Sequence, residues 1–301
     1  IYVVKCTDIL CSATLNPVVI ENNLDANLYT ALIIGSDGNP FLVYSGKDTA
    51  DNNVLSIAAC PDPACASYSP ADNFDIPAID LGSHNAVALG VDGYPSIITF
   101  GRINPRYLYF VHCLSLSCTS YEGPFTLDQG SGDVGKYSSL TIGSDGLPVM
   151  SYYDAWSTNL DLKVGKCLVK NCDTNSNPLN YQSAVVDAAG DVGLYTSITI
   201  GNDGLPIISY QDTTTAGAAH LKVAKCGTLS CSNAAGTSAV ASTRVVDIGG
   251  VGGVGELGAF SSIAIGADGL PIISYNRLGG TNRLRILHCG SENCVPYAAK
   301  R

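Results

Sequence analysis

The sequence predicts an all-β fold, a β-propeller of four-stranded antiparallel blades with one disulfide-linked hairpin per blade. Three observations predict it. A hairpin motif recurs along the chain, a cysteine pair recurs in the same register, and no segment carries the apolar periodicity of a helix. Composition agrees: 32 of 301 residues are Gly, 46% are hydrophobic and only 14% are charged, which excludes a disordered chain, a coiled coil and a collagen-like repeat.

The hairpin motif is G-x-D-G-x-P, found at Gly35–Pro40, Gly90–Pro95, Gly143–Pro148, Gly201–Pro206 and Gly266–Pro271, with starts 55, 53, 58 and 65 residues apart. Asp-Gly between β-patterned runs is a turn signal, because Gly takes the positive φ and Pro marks the edge of the next strand. A first strand such as SLTI precedes the motif and a second such as VMSYY follows it. The third ends in a cysteine (VLSIAAC, RYLYFVHC, DLKVGKC, HLKVAKC, LRILHC), and the fourth follows a variable loop (NFDIPAID, PFTLD, SAVVD, TRVVD). Four short strands in this period make one blade, whereas solenoid coils are shorter and a sandwich does not repeat its strands in fours.

The chain opens with a third and a fourth strand (IYVVKC, PVVIENN) and closes after a third. The predicted segments of a single domain are a half blade 1–24, blades near 25–79, 80–132, 133–190 and 191–250, and an incomplete blade 251–301. Six blades account for every cysteine hairpin; five remain the alternative if the N-terminal fourth strand closes the last blade. The three strands then missing from six closed blades are consecutive on the circle. The sequence is expected to be a mature chain or a fragment, since it opens at Ile1 with no signal-like segment.

Twelve cysteines form six C-x4-C pairs: Cys6/Cys11, Cys60/Cys65, Cys113/Cys118, Cys167/Cys172, Cys226/Cys231 and Cys289/Cys294. Zinc would need a second half-site near each pair, but the chain has only four His, of which His112 and His288 lie beside a pair. The position before the first Cys is Lys5, Ala59, Lys166 or Lys225 in the other pairs, the pattern expected of an exposed strand end. Residues five apart that flank a four-residue loop can face one another across a hairpin at disulfide separation. Six local disulfides, no metal and no cofactor are therefore predicted, in an extracellular setting, secreted or at the cell surface.

Twenty-six acidic against sixteen basic residues give a net charge of −10, the wrong sign for neutralising nucleic-acid phosphates or an anionic membrane surface. No apolar run approaches the roughly 20 residues of a membrane helix.

The unit S-I-T-I-G-x-D-G-L-P-x-I-S-Y followed by L-K-V-x-K-C-x4-C resembles the repeats of very long secreted β-propeller proteins of environmental bacteria, over essentially the whole chain. Those proteins string propellers in tandem as surface or fibre-forming material. The resemblance implies a non-enzymatic extracellular scaffold, a building unit of a filament or cell-surface array whose partners are neighbouring propeller units. A glycan-binding lectin is the second expectation, and a polysaccharide-acting enzyme the third. The repeat is unlike the sialidase Asp-box, and single aspartates (Asp37, Asp92, Asp145, Asp203, Asp268) stand where a calcium loop of integrin type would need several.

Two further positions recur. Ten residues before each motif glycine stands an acid (Asp25, Asp80, Asp133, Asp191, Glu256), and six before it a ring (Tyr29, His84, Tyr137, Tyr195, Phe260). Both lie where the chain enters the innermost strand. A quasi-circular ligand set for a cation or a glycan is one reading; acids capping their own turns and rings packing between blades is the other. Acids in one register show no division into acid and base, and no G-x-S-x-G, H-E-x-x-H or glycine-rich phosphate loop is present, so no catalytic residue is assigned. The lone Trp156 is expected in a loop between second and third strands. Ile1 to Cys6 or Leu284 to Cys289 are expected to pair with strands outside this segment, since bare edges invite strand addition.

Overall fold

A computed structural model of the chain describes residues 1–21, 29–48, 52–68, 74–76, 80–102, 106–129, 132–156, 159–216, 218–233, 238–249, 256–279 and 282–295. It is all-β apart from one 3-10 turn at Pro178–Asn180 among the described residues. A two-stranded sheet holds β1 (Tyr2–Val3) and β2 (Val18–Val19). Four four-stranded antiparallel sheets follow. The first is β3 (Ala31–Ile34), β4 (Pro40–Lys47), β5 (Asn53–Ala59) and β6 (Phe74–Ile76); the second is β7 (Ser83–Leu89), β8 (Pro95–Phe100), β9 (Leu108–Cys113) and β10 (Tyr121–Asp128). The third is β11 (Val134–Ile142), β12 (Pro148–Asp154), β13 (Asp161–Cys167) and β14 (Tyr181–Asp187); the fourth is β15 (Val192–Ile200), β16 (Pro206–Asp212), β17 (His220–Cys226) and β18 (Val240–Asp247). A three-stranded sheet of β19 (Glu256–Ile265), β20 (Pro271–Leu278) and β21 (Arg283–His288) completes the order. In each sheet the strands pair in chain order, as a repeated hairpin predicts.

The first strands β3, β7, β11, β15 and β19 lie side by side, so the sheets succeed one another around an axis. The core sits between sheets. Val149, Leu162 and Val164 of the third pack on Val192, Ile198 and Ile208 of the fourth, and Ile207, Leu221 and Val223 of the fourth on Leu257, Ile263 and Ile273 of the last. The second strands β12 and β16 are buried along their whole length because both faces are covered, so that their polar residues Ser151, Ser209 and Gln211 are buried too. The arrangement is not closed. Leu32 is 51% exposed, whereas its equivalents Val87, Leu140, Ile198 and Ile263 are buried; Leu284 and Ile286 are each 70% exposed, whereas Leu162, Val164, Leu221 and Val223 are buried.

Every G-x-D-G-x-P motif forms the predicted turn. Its aspartate Oδ1 accepts from the backbone N–H two residues on, at 3.0 Å for Asn39 and 3.1 Å for Leu147. The second glycine is left-handed each time, φ +81° at Gly38, where a side chain would be strained.

All six C-x4-C pairs are disulfides: Cys6–Cys11, Cys60–Cys65, Cys113–Cys118, Cys167–Cys172, Cys226–Cys231 and Cys289–Cys294, with Cα separations of 4.5–5.1 Å. None of the twelve cysteines is free. Six such bridges fit an extracellular protein.

The bridges do not have the expected geometry of two cysteines facing one another across a hairpin. The cross-strand partner of Cys113 is Tyr121, that of Cys167 is Tyr181 and that of Cys226 is Val240. The second cysteines Cys11, Cys65, Cys118, Cys172, Cys231 and Cys294 all lie outside the strands, in left-handed backbone with φ between +50° and +55°. Each donates its N–H to the carbonyl three residues back: Cys65 to Asp62, Cys118 to Ser115, Cys172 to Val169, Cys231 to Thr228 and Cys294 to Ser291. The second cysteine thus closes a tight turn inside the loop. The ladder resumes beyond it, as where Leu114 donates to the Ser120 carbonyl and Leu168 to that of Asn180. The left-handed residue folds the sulfur back onto the strand end, and the return strand begins only beyond it.

The position before the first Cys is exposed at Lys5, as expected, but not in the complete sheets. His112 is 1% exposed and Lys166 and Lys225 are buried, each paired to the turn aspartate of its own sheet: His112 to Asp92 at 2.9 Å, Lys166 to Asp145 at 2.9 Å, Lys225 to Asp203 at 2.7 Å. His288 repeats the pair with Asp268. The turn folds back over the end of the third strand, so the basic group fills the site and the motif aspartate pairs with it. Where Ala59 stands, Asp37 takes the Asn39 side-chain amide instead.

Candidate functional site

The structure brings the five predicted rings together. Tyr29, His84, Tyr137, Tyr195 and Phe260 line one cavity of about 600 Å³ at the axis, with Thr30, Asn85, Ser138, Thr196 and Ser261, the residues that follow them. Neighbouring rings touch around it: centroids are 4.1 Å apart for Tyr29 and His84, 4.7 Å for His84 and Tyr137, 4.6 Å for Tyr137 and Tyr195, and 4.5 Å for Tyr195 and Phe260.

A bulge aims four of the five rings, His84, Tyr137, Tyr195 and Phe260. The register between first and second strands slips from Lys136 to Ser139, from Leu194 to Ser197 and from Ala259 to Ser262, leaving Tyr137, Tyr195 and Phe260 outside the ladder. His84, Tyr137, Tyr195 and Phe260 all take φ between +49° and +53°, a region bulky side chains avoid at a cost of about 1–3 kcal/mol. Two residues earlier a left-handed glycine (Gly82, Gly135, Gly193, Gly258) lets the strand graze the preceding sheet; a Cβ on Gly135 would stand 2.8 Å from Leu108 Cβ. That glycine is the sequence signal by which the bulges could have been found.

The residue after the ring ties the bulges to each other. Asn85 donates to the Tyr29 carbonyl at 2.9 Å, Ser261 to that of Tyr195 at 2.8 Å, and Ser138 to that of His84. The mouth is thus a rigid aromatic circle over a layer of hydroxyls and an amide. Burial, reinforced by the Lys136 and Arg102 charges, pulls the His84 pKa down to about 3 and keeps its imidazole neutral. Burial pushes the Tyr137 phenol up to about 12.

The acids do not line the cavity. Asp25 lies outside the described residues. Asp80 holds its Oδ1 buried with no hydrogen-bond partner, while its carbonyl accepts from Arg102 N–H. Asp133 accepts from Arg106 at 2.9 Å and lies 3.3 Å from Lys136. Burial opposes ionisation of Asp133, but the two cations outweigh it and its pKa falls. Asp191 accepts the Tyr153 hydroxyl at 2.7 Å, and Tyr153 in turn packs on Tyr137. Glu256 is exposed. The four described acids share a register but not an environment, which corrects the expectation that they offer no chemical distinction. Trp156 follows β12 in the predicted loop and lies against Gly132.

No family model matches the chain, and no curated protein does. Solved structures do. A protein of unknown function from Dyadobacter fermentans is similar over 94% of this chain and 84% of its own, at 14% identity and a TM-score of 0.56. An ulvan lyase of polysaccharide lyase family PL25 is similar over 88% of this chain and 67% of its own, at 10% identity and a TM-score of 0.55. The α-L-arabinanase of Penicillium chrysogenum, complexed with arabinobiose, is similar over 89% and 82%, at 10% identity and a TM-score of 0.55. At such identities the likeness shows the fold, and it is of the β-propeller type.

These structures also overturn the scaffold expectation. Two of the folds that match over most of the chain are those of polysaccharide-acting enzymes. The expectation of a non-enzymatic structural protein is corrected accordingly, and of the expected kinship the β-propeller fold is what these structures support. The sequence argument erred by treating an even repeat as a sign of chemical uniformity.

Proposed function

We propose that the protein acts on polysaccharide, with the glycan chain seated on the aromatic circle at the axis. The observation that carries this is the left-handed backbone at His84, Tyr137, Tyr195 and Phe260. Strain repeated at four equivalent positions, all aiming rings into one cavity, supports a binding site there. Ring faces stack on the C–H faces of sugars, and Thr30, Asn85, Ser138, Thr196 and Ser261 supply groups for sugar hydroxyls. Asp133, held ionised by two cations, and Asp191, bonded to the Tyr153 phenol that packs on Tyr137, stand just outside the cavity wall and are the candidate carboxylates for bond cleavage, their differing surroundings suiting separate roles. The similarity to an ulvan lyase and an arabinanase supports the same substrate class.

The test is product release from a polysaccharide panel that includes arabinan and ulvan, reading new reducing ends for hydrolysis and ultraviolet absorbance of unsaturated ends for elimination. Loss of product in Asp191→Asn or Asp133→Asn with binding retained supports the reading. Binding without product on every polymer returns the protein to the lectin class.

The same reading takes the protein as secreted and its plan as six-bladed, with β1–β2 and β19–β21 facing across one opening. Leu32, Leu284 and Ile286 mark faces that strands of the same repeat cover elsewhere in the molecule. Strand addition from a second copy is the proposed occupant. Sedimentation of the wild type against Leu284→Asp tests it: a wild type that stays monomeric at high concentration refutes it.

A further inference from the structure

Beside the aromatic circle, a second cavity of about 310 Å³ is lined by Tyr29, Ser83, His84, Phe100, Arg102, Arg106 and Lys136. It shares Tyr29 and His84 with the axial cavity, so the two adjoin across these rings. Its charge runs against the rest of the molecule. The chain has a net charge of −10 and only sixteen Lys and Arg, yet three of them converge here, and among the described residues no acid lines the wall.

Local carboxylates leave that charge unspent. Asp133 is shared by Arg106, at 2.9 Å, and Lys136, at 3.3 Å, so one negative group answers two cations. Arg102 buries its guanidinium Nε without a hydrogen-bond partner, although its backbone is fixed to the Asp80 carbonyl. Lys136 lies over the Phe100 ring, 5.8 Å from its centroid, which fixes the ammonium over an apolar floor. A buried guanidinium nitrogen left unpaired is costly unless a ligand completes it. Any acceptor oxygen would complete it, and beside the charges of Arg106 and Lys136 an anionic oxygen is the one most favoured, for which the fork of Arg is suited.

We propose that this cavity is a subsite for an acidic sugar, one bearing a carboxylate or sulfate, held by Arg102, Arg106 and Lys136 while the adjoining sugar rests on Tyr29 and His84. The inference rests on the reading of the axial circle as a glycan site and adds the class of glycan: anionic. A neutral His84 between the two cavities accepts or donates a sugar hydroxyl bond without adding charge.

The experiment is calorimetric titration of the intact chain with three oligosaccharide probes of similar length: oligogalacturonate for carboxylate, a sulfated galactan oligomer for sulfate, and neutral arabino-oligosaccharide. The expected result is at least tenfold tighter binding of one acidic probe than of the neutral one, an advantage that shrinks as salt rises. Arg102→Gln and Lys136→Gln should remove the advantage and leave neutral binding unchanged, whereas Lys170→Gln, in an outer cysteine loop, should change neither. Should the variants misfold, the salt dependence of the wild type still decides. Equal binding of neutral and acidic probes overturns the acidic subsite and leaves the glycan site standing. Binding of none of the three overturns both.

Discussion

The hydroxyl of Tyr210 donates to the carboxylate of Asp187 at 2.7 Å across the boundary between two sheets. Asp187 ends β14, Tyr210 lies in β16, and Lys222 of β17 completes the cluster as the cation on the same oxygen. The arrangement repeats at the preceding junction with Asp128, Tyr152 and Lys163, and at the following one with Asp247, Tyr275 and Arg285. The last acid of each of these fourth strands therefore clamps the neighbouring strands around it. Asp187→Ala removes the nearer of the two carboxylates on the buried Lys222, leaving Asp212 at 3.5 Å, and is expected to cost about 2–3 kcal/mol in urea unfolding. Tyr210→Phe is expected to cost about 1 kcal/mol. A loss below that for Asp187→Ala would show that the clamp is not structural.

Acid should loosen the same clamps. Burial opposes ionisation of Asp187, but the bonds from Lys222 and Tyr210 prevail and its pKa lies below the ordinary 3.8. Asp92 and Asp203 are lowered likewise, against burial, by turn N–H groups and their basic partners. A depressed folded pKa gives stability that is present above the unfolded value and is lost as pH falls through the folded one. The midpoint of chemical unfolding should thus hold steady above about pH 5 and decline through about pH 4 to 2. A flat profile there would contradict the assignment.

The bridges should differ in access. Cys6 and Cys11 are exposed, whereas the other five pairs are buried, with Cys65, Cys118, Cys172, Cys231 and Cys294 fully so. Mild reduction followed by alkylation and peptide mapping should label Cys6 and Cys11 first, with the remaining pairs reacting only as the sheets open. Each buried bridge removed is expected to cost about 2 kcal/mol, the chain-entropy value for so short a loop. Labelling of Cys167 before Cys6 would refute the order.

Phe260 separates strain from function. It is 61% exposed, so it has little packing to lose, and its φ is +52°. Phe260→Gly should leave thermal stability unchanged or raise it, by up to about 1 kcal/mol, because glycine accepts that backbone freely. Binding of polysaccharide should fall at least fivefold. Unchanged binding together with lowered stability would mean that the ring is structural.

What could be read in the sequence was whatever is settled within a few residues. Asp-Gly turns, the Pro that opens each second strand and cysteines five apart impose their geometry locally, so the order of strands and all six bridges were legible. The manner of bridging was not, since nothing in C-x4-C distinguishes a cysteine on a facing strand from one such as Cys118 or Cys231 in a left-handed turn. The partners of charged groups were hidden too. His112 looked solvent-facing because Asp92 lies 20 residues earlier in the chain, and only the folded turn brings them together. Asp187 and Tyr210 are 23 apart, and on different sheets. The ring of aromatics was visible as a fixed offset from the turn motif. Its left-handed bulges were not, since nothing about Tyr137 itself advertises a positive φ. The acids follow the same pattern: their regular spacing was visible, and the unlike surroundings of Asp133 and Asp191 were not.

The covalent links all stay inside single loops, and this bears on how the chain is made. Each cysteine's partner is the nearest one in sequence, so oxidation poses no choice among blades. A pair can close as soon as both residues meet an oxidant, before the sheet that will flank it exists. Errors of pairing would have to reach past a correct neighbour, so an isomerase-poor compartment suffices for maturation. A duplicated or deleted repeat carries its own lock with it, and the number of units can drift over evolutionary time without stranding a thiol.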